Sequence, residues 1–388
     1  MALACGGFAI GTTEFVTMGL LPGIAHGVDV SIPAAGHVIS AYALGVVVGA
    51  PLIAVLGARL PRRGLLLVLM AWFAVANAAA ALAPGYASLT VARFLAGMPH
   101  GAFFGVASLV AASLVAPARR GRAVSLVMLG LPVANIVGVP AATWMGQQLG
   151  WRSAYWAVAA LGLLTVALVA AFVPAIRADD AATGRRELRA FASVQVWLTL
   201  LVGAIGFGGM FAMYSYIAPT VTHVTGLSLD AVPLFLLAFG VGGTLGTYVA
   251  GRMADWSVLR SLVIGSAGMG GGLALFTLTA HQPVPGVLTV LVIAALGSVL
   301  VVNLQLRLMH VAGEAQTLGA AMNHSALNAA NALGAWLGGL VIAAGLGWTA
   351  PSWVGVGLSV GGLAALGLSL ALHRRETRPS PPRSAARR

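Results

Sequence analysis

Two ionisable side chains lie inside long apolar stretches of this chain, where they could perform proton chemistry. Glu14 is near the middle of the apolar run 3–24, whereas the other eight acidic residues fall in polar segments. Arg93 lies within the apolar run 86–116. An ionised group at such a position must pair, face a cavity or hold a proton. We therefore predict that Glu14 loads and releases a proton with Arg93 as its partner. The alternative is a static ion pair that only fixes helix packing.

Other polar and aromatic side chains within apolar runs are candidates to line a substrate cavity. His100 follows Arg93 at helical spacing and could relay protons, bind substrate or simply pack. Buried amides serve equally well as hydrogen-bonding glue between helices, and buried aromatic rings as core packing. With both alternatives open, the candidates are His100, Asn135, Phe207, Phe211, Tyr214, Asn303, Asn323 and Asn328.

The composition excludes a soluble enzyme and a receptor with one membrane anchor and a large external domain. Hydrophobic residues make up 59% of the chain and charged residues 8%, whereas soluble domains average about 45–50% and about 25%. The net charge of +12 comes from 21 basic residues, all of them arginine. They are scattered in short clusters between apolar runs and form no continuous basic face, so nucleic acid is not a predicted partner.

Several other kinds of chemistry lack their motifs. A phosphate-binding loop of the GxxxxGK[ST] type needs a lysine, and this chain has none, so a single-chain ATP-driven pump is excluded. The eight histidines and one cysteine show no metal-ligand spacing, so no metal site is predicted. No nucleophile–base motif appears either, and we predict neither an enzyme nor a bound cofactor.

Apolar runs of about 20 residues, the length that spans a bilayer, predict an all-α polytopic membrane protein. Twelve spans are predicted, near 3–24, 35–57, 64–83, 86–116, 123–147, 152–174, 194–222, 231–251, 258–280, 286–306, 316–345 and 351–372. With both termini in the cytoplasm, 19 of the 21 arginines, Arg307 among them, fall in loops or tails on the inner side. This distribution agrees with the positive-inside rule.

The longest internal polar segment divides the chain into two halves. We predict a six-helix bundle over 1–174, a cytoplasmic linker over 175–193, a second six-helix bundle over 194–372 and a disordered cytoplasmic tail over 373–388. Two bundles joined in this way are typical of secondary transporters.

Motifs across nearly the whole chain resemble the major facilitator superfamily. The resemblance is to its drug:proton antiporter-1 branch, near the arabinose-efflux-permease-like and chloramphenicol-resistance-like proteins of bacteria. The stretches that carry it include GTTEFVTMGLLP (11–22), PHGAFFGV (99–106), NIVGVPAATW (135–144) and LNAANALGAWLGG (327–339).

The resemblance assigns conformational or gating roles to seven residues. The inner-loop Gly-x-x-x-Asp motif is intact in the second half, whereas in the first half Pro61 stands in place of the acid. The matching residues are Arg62, Gly97, Gly101, Gly138, Pro140, Gly251 and Asp255.

The resemblance also implies a function, namely proton-coupled export of a small organic solute or drug by alternating access. Glu14 and Arg93 would couple the proton, and the proton gradient would replace any cofactor. We expect a monomer in the bacterial inner membrane whose partners are a small-molecule substrate, protons and the lipid bilayer. Two alternatives remain, a proton-coupled permease that takes up a sugar or nucleoside, and a membrane sensor that transports nothing.

Overall fold

The computed structural model describes residues 1–57, 60–116, 120–175, 193–312 and 316–376. Within these ranges every regular element is helical. The predicted linker over 175–193 and the predicted tail over 373–388 lie almost entirely outside the described residues.

In its described residues, the first half of the chain forms nine α-helical segments. They are α1 (Ala2–Gly19), α2 (Leu21–Gly27), α3 (Ile32–Gly57), α4 (Arg62–Leu82), α5 (Tyr86–Ser113), α6 (Arg120–Met128), α7 (Gly130–Val133), α8 (Val139–Leu149) and α9 (Arg152–Phe172). A bend of 74° separates α1 from α2. A π-helical turn, Ala134–Gly138, joins α7 to α8.

The second half has seven α-helices over the part that the structure describes, and it also contains a π-helical turn. They are α10 (Val194–Leu201), α11 (Gly208–Tyr214), α12 (Ile217–His223), α13 (Val232–Thr279), α14 (Pro283–Val311), α15 (Gln316–Ala343) and α16 (Ala350–Glu376). A π-helical turn, Val202–Gly206, separates α10 from α11. A 3₁₀ turn, Leu229–Ala231, precedes α13.

Proline and glycine set several of these helix bounds. Both α13 and α14 have proline in their first two positions, where the missing N–H costs no hydrogen bond. Gly150 ends α8 with φ +89°, and Gly345 and Gly347 turn the chain after α15 with φ +78° and +88°. Such left-handed backbone is readily adopted only by glycine.

The number of membrane crossings is only partly settled by the structure. Within the described ranges, ten helical runs are long and apolar enough to span a bilayer, or eleven if α1 and α2 form one span. One run, Leu229–Thr279, has 51 residues, and at about 1.5 Å per residue it is more than twice as long as a bilayer core of about 30 Å. Ser257 interrupts it with φ −173° and ψ 112°, between the predicted spans 231–251 and 258–280. Twelve crossings and cytoplasmic termini remain predictions.

The outward surface of the bundle suits lipid. Large apolar side chains such as Leu82, Phe172 and Leu278 are more than two-thirds exposed. In a soluble protein such a surface would aggregate, whereas in a bilayer it contacts acyl chains.

Pairs of glycines four residues apart bring two helices into backbone contact in each half. At each glycine an added Cβ would collide with a carbonyl oxygen of the facing helix. The first pair, Gly45 and Gly49, lies on α3 against α5, and the second pair, Gly242 and Gly246, lies on α13 against α14. Small residues permit such close approach in membranes, and the same four-residue spacing occurs in both halves.

The Gly246 contact can be tested by adding one methyl group. A Cβ there would collide with the backbone of Ala295, so we expect Gly246→Ala to lower the free energy of unfolding by about 1–3 kcal/mol. Gly243→Ala is the matched control, because the nearest atom, Ser298 Oγ, would lie 3.6 Å away. Thermal melts of the purified proteins in detergent compare the two. Equal melting temperatures would contradict the packing described here.

Candidate functional site

Arg93 of α5 is fully buried and is held by uncharged groups. Its Nη1 donates to Thr13 Oγ1 at 2.9 Å and its Nη2 donates to the Thr13 carbonyl oxygen at 3.1 Å. The ring centroids of Tyr42 and Tyr155 lie 4.3 and 5.3 Å from the guanidinium carbon. Attraction to ring faces strengthens when the cation is out of water. The arginine is thus fixed against α1, the helix that carries Glu14.

A network of neutral groups orients this arginine. Thr13 Oγ1 donates to Asn77 Oδ1 at 2.7 Å, and Asn77 Nδ2 donates to the Phe73 carbonyl oxygen at 2.8 Å. On the other side, the hydroxyls of Thr17 and Tyr155 share a hydrogen bond of 2.8 Å. Residues from α1, α4, α5 and α9 therefore hold the guanidinium in one orientation.

Glu14 follows Thr13 and forms no ion pair with Arg93. Within the described residues, no nitrogen of Arg93 lies within 4.0 Å of its carboxylate, and the carboxylate makes no hydrogen bond. The side chain is 7% exposed. The alternative of a static ion pair is therefore not what the structure shows, because the hydrogen bonds of Arg93 go to the residue before Glu14. The partnership of the two residues in proton coupling stays a prediction.

The residue after Glu14 in α1, Phe15, belongs to an aromatic cluster. The ring of Phe15 lies 6.3 Å from Phe211, 6.1 Å from Tyr214 and 6.3 Å from Phe239. Tyr214 and Phe239 stack at 3.8 Å, and Phe207 meets Phe211 edge-on at 5.4 Å. The structure thus gathers the three predicted aromatic candidates of the second half beside α1, and it places Glu14 next to the point where the two halves pack.

His100 lies in a second contact between the halves. Its Nδ1 is 3.1 Å from Tyr42 Oη, so the tyrosine that covers Arg93 also binds this histidine. The His100 ring is 5.5 Å from Phe104, which in turn stacks on His324 of α15 at 6.0 Å and 4°. These side chains form a continuous series of contacts from Arg93 to the second half.

The amide candidates are spread over several elements. Asn303, Asn323 and Asn328 are buried, whereas Asn135 is half-buried in the π-helical turn. All four side-chain carbonyl oxygens lack a hydrogen-bond partner within the described part of the chain. No contact found there joins Asn135 or Asn303 to Glu14 or Arg93.

The residues assigned to gating motifs fall into two groups. Gly97, Gly101 and Gly138 are close-packing positions, where an added Cβ would meet the Tyr42 carbonyl oxygen, the Ala50 side chain and the Thr12 hydroxyl respectively. Pro140 begins α8 after the π-helical turn. The other three lie at or near helix ends or bends. They are Arg62 at the start of α4, and Gly251 and Asp255, both exposed in α13 just before Ser257. Their gating roles stay predictions.

One arginine predicted in a loop is buried within a helix. Arg307 was predicted in an inner loop, but it lies within α14 and is 5% exposed. Its Nη2 is 3.4 Å from Gln195 Oε1, which also accepts from Ser369 Oγ at 2.7 Å. Leu308 and Val311 continue the apolar pattern past the predicted end of the span at 306. This continuation is the sequence feature that indicates a helix extending beyond Arg307.

The importance of Thr13 for holding Arg93 can be tested with two neighbouring threonines. Thr13→Val removes the acceptor of Arg93 Nη1 and the donor to Asn77, so we expect a loss of about 1–3 kcal/mol in unfolding free energy. Thr12→Val is the control, because Thr12 Oγ1 donates only to the Phe8 carbonyl oxygen of its own helix. Melting temperatures of purified protein report both changes. A drop in melting temperature for Thr12→Val as large as that for Thr13→Val would contradict the assignment.

Comparisons with known proteins agree with this architecture. A family model described as the Major Facilitator Superfamily matches residues 3–323. The inner membrane transport protein YdhP of Escherichia coli (strain K12) is 43% identical over 375 residues, which cover 94% of each chain. A chloramphenicol resistance protein of Streptomyces lividans is 36% identical over 351 residues, covering 89% of this chain and 88% of that protein. The crystal structure of a D-xylose-proton symporter matches with a TM-score of 0.72 and 18% identity, covering 94% of this chain and 95% of that one.

These similarities confirm the resemblance found in the motifs. At 18% identity the symporter shares the fold alone, but the family model and the two relatives extend over most of the sequence. The helices are embedded in a membrane, and the protein is a transporter of small molecules rather than an enzyme. On this combination of sequence, fold and buried site, the chain belongs to the major facilitator superfamily.

Proposed function

We propose that this transporter exports a small organic solute from the bacterial cytoplasm in exchange for protons. The observation that carries the proposal is the state of Glu14, which is a buried carboxyl with no ion-pair partner among the described residues. It lies between the buried Arg93 cluster and the aromatic contact that joins the halves.

The chemistry follows from the cost of an ionised group in apolar surroundings. An unpaired carboxylate there costs several kcal/mol, and protonation removes that cost. When the site opens to water on one side, the carboxylate is solvated and the proton can leave. Because Arg93 is tied to Thr13, its charge stays near Glu14 without neutralising it permanently. Glu14 thus acts as the group that loads and releases the proton, and the proton gradient supplies the energy without a cofactor.

The direction of transport and the location are supported by the relatives. The Streptomyces lividans relative is named for chloramphenicol resistance, which export of the antibiotic would give its host. YdhP is named an inner membrane protein, and we extend that location to this chain. The aromatic surface of Phe15, Phe211 and Tyr214 suits an amphipathic solute better than a sugar. We further propose twelve crossings, cytoplasmic termini and a monomer as the working unit.

Export can be tested with Glu14→Gln, which keeps the shape of the side chain and removes its charge. In a bacterium lacking its own efflux pumps, we expect the native chain to lower chloramphenicol accumulation severalfold. Glu14→Gln and a protonophore should each abolish the effect, because the first removes the group that carries the proton and the second collapses the proton gradient. Equal amounts of the two proteins in the membrane, checked by immunoblot, are the necessary control.

The same assay separates the rival functions. Raised accumulation that depends on Glu14 would make the chain an uptake permease and would contradict export. Lowered accumulation that survives both Glu14→Gln and the protonophore would contradict proton coupling. A well-expressed native chain that changes the accumulation of no compound in a panel of antibiotics, sugars and nucleosides would favour a sensor.

A further inference from the structure

One face of α15 is turned towards the first half of the protein. His324, Asn328 and Asn331 follow at intervals of four and three residues and therefore share a face. His324 on this face stacks on Phe104 of α5, which belongs to the first half. About two turns further along, the same helix is bound to the first half again, because Ser40 Oγ of α3 donates to the Ala332 carbonyl oxygen at 3.0 Å. The two asparagines thus lie between two contacts that join the halves.

These two asparagines carry polar atoms without partners. Asn328 is 4% exposed and Asn331 is 1% exposed. Asn328 Nδ2 donates to the His324 carbonyl oxygen at 3.0 Å, so its amide orientation is fixed and Oδ1 points away from its own helix. That Oδ1, together with both Oδ1 and Nδ2 of Asn331, has no hydrogen-bond partner among the described residues.

Asn77 shows how a structural amide in this protein is satisfied. Its Nδ2 also donates to the carbonyl oxygen four residues earlier, but its Oδ1 accepts from Thr13. Asn328 has the first of these bonds and lacks the second. A buried polar atom without a partner costs free energy, so an amide retained only for packing should find one. Asn303 has the same pattern on another helix, but Asn328 and Asn331 are set apart by sharing one face of α15 between two contacts that join the halves.

We propose that Asn328 and Asn331 form a substrate subsite for a hydroxyl, an uncharged group that both donates and accepts hydrogen bonds. The proposal rests on the transport function above, and it names the chemistry of the solute. The subsite offers two acceptor oxygens and one NH₂ donor. No acidic or arginine side chain lies on this face of α15 in its described part to balance a charged group. Across from it, His100 lies one helical turn from Phe104, the residue that stacks on His324.

The first test needs no knowledge of the solute. Asn328→Leu and Asn331→Leu replace unpartnered amides with apolar groups of similar size, so the melting temperature of the purified, ligand-free protein should stay the same or rise. Asn77→Leu is the matched control, and it should lower the melting temperature by several degrees, because it breaks two satisfied hydrogen bonds. If the melting temperatures of Asn328→Leu and Asn331→Leu fell as far as that of Asn77→Leu, the proposal would be overturned.

The second test measures the chemistry of the ligand by thermal shift and direct binding on purified protein. The probes are chloramphenicol, which carries two hydroxyls and an amide, and its diacetyl ester, in which both hydroxyls are blocked. We expect chloramphenicol to bind the native protein at least tenfold more tightly than the ester does. Both leucine variants should reduce this preference to about twofold or less. No binding of chloramphenicol to the native protein, or an undiminished preference in the variants, would contradict the subsite.

Binding and export fail in different ways. Glu14→Gln should retain the preference for chloramphenicol over the ester, since the carboxyl is not part of the subsite. Binding with this preference but without export in cells would leave the subsite standing and contradict the proposed function. Export of chloramphenicol that is unaltered in Asn328→Leu and Asn331→Leu would support the proposed function and contradict the subsite.

Discussion

The pair of hydrogen bonds from Arg93 to Thr13 is the interaction on which the rest of the site depends. A guanidinium buried between helices has no water to solvate it, so its donors depend on the protein for their partners. Here a hydroxyl and a backbone carbonyl oxygen accept from Nη1 and Nη2, two tyrosine rings cover the cation, and Nε has no hydrogen-bond partner among the described residues. Because neutral groups accept from both terminal nitrogens, the carboxyl of Glu14 is left without a fixed partner. Its charge can then change without disrupting the packing of the bundle.

The position of Glu14 connects this charge to the packing of the two halves. The next residue, Phe15, belongs to the same buried apolar cluster as Phe211 and Tyr214 of the second half. The ring contacts from Arg93 through Tyr42 and His100 reach Phe104 and His324. A change of charge at Glu14 therefore acts where the halves touch. Glycine contacts within each half bring its helices close together.

Much of this arrangement could be predicted from the sequence because apolar runs and rare charges are strong signals in a membrane protein. The helical class and the burial of Glu14 and Arg93 were readable in this way, whereas the division into two six-helix bundles stays a prediction. The hydrogen-bond acceptor of Arg93 could not be predicted in this way. An acidic residue is the simplest expectation for a buried arginine, and nothing in the sequence marks the hydroxyl or carbonyl oxygen of Thr13 as its acceptor. Arg307 was misplaced for a related reason, since an arginine near the end of an apolar run marks a loop as often as a buried helix end.

The unpartnered amides show another limit of sequence reasoning. Asn77 and Asn328 look alike in sequence, each following a helix position whose carbonyl oxygen it can bind. Only the fold shows that Thr13 donates to Asn77 Oδ1, whereas Asn328 Oδ1 has no donor among the described residues. Whether an amide is structural or available to a ligand depends on what lies opposite it, and that is set by tertiary packing.

Proton movement in proteoliposomes tests the central role of Glu14 most directly. Native protein and Glu14→Gln would be reconstituted with a pH-sensitive dye trapped inside, and a gradient of chloramphenicol would then be imposed. We predict that flow of chloramphenicol down its gradient drives a counterflow of protons in native vesicles, and that Glu14→Gln shows none while still binding the compound. Proton counterflow of equal size in both would show that another group carries the proton and would contradict the mechanism proposed here.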